Sequence, residues 1–178
     1  MASNNEIIMN LDNQYLIDIN KKILKRHEKI KKVKVYIETT KNIELVIPKV
    51  NSVGNSGNRK DDLIEKAACV MAVIPWAQTF FDGNRRTGII AASKFLYDNG
   101  YELQIDPDDE NLELRGMLSE IKKQHKTLNQ NLKPKHYETD VFLYFKKNQT
   151  IMSPKDKKIT DELIEKYSKL LDDLATDD

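Results

Sequence analysis

One cysteine, Cys69, stands in the whole chain. No disulfide can form within it, and the apolar run around Cys69 points to burial rather than redox chemistry. Glycine and proline are scarce, at 6 and 5 residues, which disfavours a turn-rich β architecture and favours long regular elements. No apolar run approaches the roughly 20 residues of a membrane span, and residues 1–10 lack the charged-then-apolar pattern of a signal sequence. An excess of one charge is missing too: 29 Lys and Arg against 28 Asp and Glu leave +1. The molecule as a whole is therefore not an electrostatic partner for nucleic acid. A soluble, cytoplasmic protein without membrane attachment is expected.

What is present fits one domain with a short appendage: 178 residues, 39% hydrophobic and 32% charged, with Ile, Leu, Val and Phe clustered as a disordered chain would not have them. Leu16, Ile19, Ile23, His27 and Ile30 recur at helical spacing over Asn13 to Lys32, with Asp12 or Asn13 as cap. Two apolar alternations, Val33 to Ile37 and Ile43 to Ile47, read as a β-hairpin or two extended strands. Asn51 to Arg59 is a polar loop. A helix is expected from Asp61 or Asp62 to about Ile74, with Leu63, Ile64, Ala67, Ala68, Val70, Met71 and Ile74 on its apolar face and Pro75 near its end. A second, central helix is expected from Arg85 to Asn99, terminated by Gly100. Tyr101 to Ile105 reads as extended and Asp109 to Thr127 as helix. Tyr137 to Phe145 is apolar and ambiguous in type. A last amphipathic helix, capped by Ser153-Pro154 or Thr160, runs through Leu163, Ile164, Tyr167, Leu170, Leu171 and Leu174. The expected domain is residues 1–150, with its core motif at 61–103, and residues 151–178 add the C-terminal amphipathic helix, packed on the domain or used for a partner.

The loop Gln78-Thr79-Phe80-Phe81-Asp82-Gly83-Asn84-Arg85-Arg86-Thr87-Gly88 carries the chemistry. Gly83 and Asn84 precede a helix, where backbone N–H groups and the positive end of the dipole suit an anion. Gly83 permits close approach and unusual backbone angles. Arg85 and Arg86 open the helix at its unfavourable end, which suggests a compensating anion. Asp82 could hold Mg²⁺ through one carboxylate, with waters and phosphate oxygens completing the shell. Phe80 would anchor the loop in the core. The plainer alternative is a capped helix N-terminus with two solvated arginines, and the local pattern alone does not decide between them.

This stretch resembles the Fic/Doc motif, His-x-Phe-x-(Asp/Glu)-(Gly/Ala)-Asn-(Gly/Lys)-Arg, at Phe80, Asp82, Gly83, Asn84 and Arg86. The resemblance extends over about Asp61 to Leu103 and implies a mainly α, Fic-like helical bundle with a small β-hairpin flap. It further implies ATP and Mg²⁺ as cofactors, with AMP or phosphate passing to a hydroxyl of a target protein. Asp82 would bind the metal. Gly83, Asn84, Arg85 and Arg86 would bind the nucleotide phosphates, and Asn84 and Arg86 would act beside the base position, 78. Arg85, where typical AMP-transferring members have Gly and Doc-like ones Lys, and Ile89, where the former have a second Arg, lean towards the Doc-like branch. The hairpin at 33–47 would be the flap that holds a target segment by β-augmentation. No Ser/Thr-x-x-x-Glu-Gly/Asn inhibitory sequence is found, since Glu44, four residues after Thr40, is followed by Leu45. An antitoxin or other regulator in trans is implied by analogy only.

The departure is at Gln78, where the family has the histidine that serves as general base. An amide cannot take a proton near neutral pH, and losing a base typically costs about 10²–10⁴-fold in rate. Gln78 is compatible with a domain that binds without transferring, with slow transfer using a base from elsewhere, with deliberate replacement of the histidine, or with another histidine, His27, His125 or His136, in its place. Each of these three reads more readily as a surface or packing residue. The alternative of a different class is a non-catalytic protein-interaction module with a vestigial anion site. The stretch Lys21 to Lys34, eight Lys or Arg and one Glu, lacks the interleaved aromatics of a single-strand platform and reads as a solvated helix face, so nucleic acid is not expected as a partner. Trp76 and Tyr101 could stack an adenine, but they fit core packing better.

Overall fold

The computed structural model describes residues 6–32, 40–103, 105, 110–125, 149–151 and 159–176. In chain order its elements are α1 (Asn13–Lys31), α2 (Ile43–Asn51), α3 (Arg59–Ala77), α4 (Asn84–Asp98), β1 (Tyr101–Leu103), α5 (Leu112–His125), β2 (Gln149–Ile151), α6 (Ile159–Lys166) and α7 (Ser168–Thr176). The fold is mainly α, as expected, with one antiparallel pair that sets Tyr101 opposite Ile151 and Leu103 opposite Gln149.

Helix α1 starts where Asp12 caps it, its carboxylate accepting from the Tyr15 N–H at 2.7 Å. Asn58 caps α3 in the same way, accepting from the Lys60 and Asp61 N–H groups, so α3 begins two to three residues earlier than expected. Every residue predicted for its apolar face is buried. Helix α4 lies against α1, α3, β1, α6 and α7, and its stretch from Asn84 to Ser93 is buried all round. That is why its sequence shows small and apolar residues without a polar stripe. Gly100, at φ +87°, ends it. Helices α3 and α4 approach closely at Gly88, where a Cβ would sit 2.8 Å from the Met71 carbonyl oxygen. Only a residue without a side chain lets α3 and α4 come this close.

One expected element is corrected. Ile43 to Ile47, read as a strand of the flap hairpin, is the first half of helix α2. Ile43, Val46 and Val50 are buried at spacings of three and four, and α2 packs them on α3. This tertiary burial outweighs the strand preference of the β-branched residues. The partner strand, Val33 to Ile37, lies outside the described residues, as do Tyr137 to Phe145 and Ser153-Pro154. The predicted last helix is two, α6 and α7, which meet at Tyr167. The Tyr167 hydroxyl donates to the Leu103 carbonyl at 3.1 Å and the side chain is fully buried. Leu163, Ile164, Leu170, Leu171 and Leu174 join the same core as α1, α3 and α4. Trp76 and Tyr101 pack into or against that core, and Ile30, expected on the apolar face of α1, is exposed.

The loop before α3 is organised by Asp62. Its carboxylate accepts from the Ser56 N–H at 2.8 Å, the Ser56 hydroxyl at 2.6 Å and the Gly57 N–H at 3.0 Å. Burial alone would raise its pKa. The hydrogen bonds and nearby Lys66 outweigh burial and hold the carboxyl below its ordinary value.

Two expectations follow from this packing. Gly88→Ala lowers stability by about 1–3 kcal/mol because the added methyl meets main chain, not a movable side chain; urea unfolding reads this as a lower midpoint at unchanged slope. A depressed carboxyl pKa contributes stability above the unfolded-state value, and that contribution is lost as pH falls through the folded-state value. Asp62→Asn is therefore less stable than the parent near neutral pH and loses stability less steeply below about pH 4; urea midpoints across that range check both.

Candidate functional site

The chain between α3 and α4 turns within residues 78–83, and both ends of the turn use left-handed backbone: Gln78 at φ +48° and Gly83 at φ +77°. Asn84 closes it. Its amide nitrogen donates to the Phe80 carbonyl at 2.7 Å, and its amide oxygen accepts from the Phe80 N–H at 2.8 Å. Phe80 is buried, as expected of the anchor, while Phe81 is 72% exposed. The Asn84 side chain is thus committed to the loop, and no side chain caps α4, whose N-cap is Gly83. The Asp82 carboxylate, bonded to the Gly83 N–H, lies at the positive end of the helix dipole.

Asp82 and Arg86 face each other across this helix end. The Asp82 Oδ1 accepts from the Gly83 N–H and, at 2.9 Å, from an Arg86 terminal nitrogen. The Arg86 side chain is 3% exposed and that of Asp82 35%. Arg85, also buried, donates to the Ser119 hydroxyl of α5 at 3.0 Å and to the Leu174 carbonyl of α7 at 2.8 Å. Gln78 donates its amide nitrogen to the Pro75 carbonyl at 2.6 Å. Around these groups lies a cavity of about 300 Å³. All the predicted site residues, Gln78, Asp82, Gly83, Asn84, Arg85 and Arg86, line it.

The remaining walls come from elsewhere: His27 from α1, Lys122 from α5, and Leu174 and Ala175 from α7. Asn20, buried on α1, donates to the Asp82 carbonyl at 2.9 Å and to the Thr87 hydroxyl at 3.0 Å. It holds the loop against α1, and sequence reasoning did not single it out. Its one signal is a polar residue inside the apolar spacing Leu16, Ile19, Ile23. The His27 imidazole is held below its ordinary pKa, by burial first and by Arg86 and Lys31 after it, against Asp82 and Asp172. His125 stands on α5, and His136 lies outside the described residues.

The sequence model of the Fic/DOC family matches residues 10–96, about half the chain. Through this segment the chain belongs to the Fic/DOC family. Comparison with curated proteins and with solved structures gives no match. The matched Fic/DOC segment runs from just before α1 into the last turn of α4. It therefore holds the loop, Asn20 and His27, and leaves out the α5 and α7 walls of the cavity.

The basic stretch on α1 is partly matched within the chain. Lys22 pairs with Asp161 at 2.9 Å, and Arg26 with Asp172 at 3.0 Å and Glu165 at 3.8 Å, which fits a helix face better than a nucleic-acid surface. Among the described residues, no helix is long and apolar enough to cross a membrane.

Asn20→Ala leaves the Asp82 carbonyl and the Thr87 hydroxyl without their shared donor. The expected cost is about 1–3 kcal/mol, measured by urea unfolding, together with faster amide exchange at residues 80–84 than elsewhere in α3 and α4.

Proposed function

We propose that the cavity at the α4 N-terminus binds the phosphates of Mg·ATP, and that the protein is related to the AMP- and phosphate-transferring members of its family. Its transfer is attenuated because Gln78 stands at the base position. The observation that carries this reading is the convergence of Asp82, Gly83, Arg85 and Arg86 on one cavity at an uncapped helix end. The α4 dipole and the two guanidinium groups favour an anion there.

The donor set fits Mg²⁺ in one way only. Among the described residues no cluster of three or more His, Cys, Asp or Glu could cage a metal. Asp82, with one carboxylate oxygen engaged by Gly83 and Arg86 and its side chain partly exposed, offers the single carboxylate that suffices where phosphate oxygens and waters supply the rest. Mg²⁺ there would neutralise phosphate charge. Arg86 is pre-positioned by its ion pair, and Gln78, one amide N–H of which is bonded to Pro75, can accept hydrogen bonds but no proton.

A second reading, a protein-interaction module with a vestigial anion site, takes its support from Arg85 and Arg86. Both are engaged inside the chain, and exposed Phe81 sits at the rim. The target, an antitoxin or other regulator, and the order of any assembly belong to this part of the reading. With Ile43 to Ile47 helical, the hairpin expected to hold a target by β-augmentation is not part of this reading.

Calorimetric titration separates the two readings. Saturable Mg·ATP binding that weakens about 10–100-fold in Arg86→Ala, in line with loss of a charge-assisted hydrogen bond, and that EDTA reverses, supports the nucleotide site. No binding by the parent protein, with its thermal transition intact, supports the interaction module.

A further inference from the structure

We propose that His27 is the proton-accepting group of this cavity, reaching it from α1 in place of the base that Gln78 cannot provide. This role rests on the nucleotide-binding reading above.

Asn20, Leu24 and His27 stand at i, i+4 and i+7 and so share one stripe of α1. The first two are seated on the loop. A Cβ at Gly83 would meet the Asn20 amide nitrogen at 3.0 Å and a Leu24 methyl at 3.2 Å, and Asn20 also binds the Asp82 carbonyl. The next turn of the same stripe brings His27 to the cavity wall beside Gln78, Asp82 and Arg86.

Two further features bear on the role of this histidine. Its Nδ1 is buried and has no hydrogen-bond partner, whereas a histidine kept for packing normally satisfies a buried ring nitrogen. A turn of the ring that brought this nitrogen to the cavity would let a hydroxyl donate to it. The groups around it also keep it neutral. Arg86 from α4 and Lys31 from α1 act with burial, and together they outweigh Asp82 from the loop and Asp172 from α7. Arg85 and Lys122 complete the charged lining. A neutral imidazole is the form that can accept a proton.

In this role His27 would serve the transfer step. The acceptor's hydroxyl oxygen attacks a phosphorus of ATP and forms a new O–P bond. The P–O bond to the departing phosphates breaks, and its electron pair leaves with them, as ADP when phosphate is transferred or as pyrophosphate when AMP is. The hydroxyl proton passes to His27 and from there to water.

The chain has three histidines, so three imidazole signals can be followed by NMR while Mg·ATP is added to the full-length protein. The expected result is a saturable shift of the His27 ring signals with those of His125 and His136 unmoved. In parallel, ATP labelled at the α or the γ position is followed to protein and to water. His27→Gln should slow label transfer about 10²–10⁴-fold, a larger change than that in the Mg·ATP dissociation constant. His27→Gln/Gln78→His should recover transfer. Three results overturn the proposal and leave nucleotide binding standing: Mg·ATP that binds without moving the His27 signals, a His27→Gln protein that transfers at the parent rate, and a parent protein that binds Mg·ATP but transfers label to no acceptor, water included. Absence of Mg·ATP binding by the parent overturns the nucleotide reading and this role together. The NMR result on the parent protein stands whether or not His27→Gln folds.

Discussion

The Cβ that Gly88 lacks would lie 2.8 Å from the Met71 carbonyl oxygen, and the separation of α3 and α4 follows from that contact. Helices this close leave little room for the chain that joins them. Residues 78–83 turn back by using left-handed backbone at both ends, at Gln78 and Gly83. In between, the Asn84 amide ties both hydrogen-bonding groups of Phe80. The shape of the loop is thus set by a packing contact more than one turn away along each helix. Its chemical groups ride on a backbone that cannot be redrawn without moving α3 against α4.

The loop alone does not make a cavity. Helix α1 supplies one wall because Asn20 satisfies a loop carbonyl and a helix hydroxyl at once. Helix α7 supplies another because Arg85 donates to the Leu174 carbonyl. The ion pairs between α1 and the C-terminal helices are partly exposed and each contributes little, typically about 0–1 kcal/mol. The holding energy comes from Leu170, Leu171, Leu174 and Tyr167, buried against the common core. A cavity whose walls lie partly beyond the family-matched segment can keep the family loop while differing from other members in what borders it.

Helices α3 and α4 and the loop between them were legible in the sequence because several local signals coincide there: a terminating glycine, uninterrupted apolar spacing and the Phe80 to Arg86 pattern. Ile43 to Ile47 misled because its alternation of apolar residues satisfies a strand template, while the spacing that decides the matter, Ile43, Val46 and Val50, extends beyond that window and is read only against α3. The break at Tyr167 was hidden because the amphipathic pattern continues across it, and the main-chain bonds from Tyr167 to Leu163 and from Leu171 to Tyr167 continue as well. Asn20 and Lys122 were invisible as site residues for a different reason. In a chain that is 32% charged, one more polar side chain on a helix carries no information until its neighbours in space are known. His27 sat within the apolar spacing of α1, and what that spacing could not say was which helix end it would meet.

Gln78 separates two properties that the family motif usually joins. At the C-terminal cap of α3 it takes the left-handed conformation and bonds back to Pro75, so the turn keeps its form without an ionisable group. The proposed anion site beyond it is electrically restrained. Arg86 is buried but already paired with Asp82, and an incoming phosphate alone would have to compete with that carboxylate for the guanidinium. In the proposed reading a divalent cation shares Asp82 and relaxes its hold on Arg86, while the phosphate gains the N-terminus of α4. Each ligand then compensates the charge that the other would leave exposed, and binding of metal and nucleotide should be coupled through a single carboxylate. Such coupling needs nothing from position 78, so in this reading the binding of metal and nucleotide does not depend on a base there.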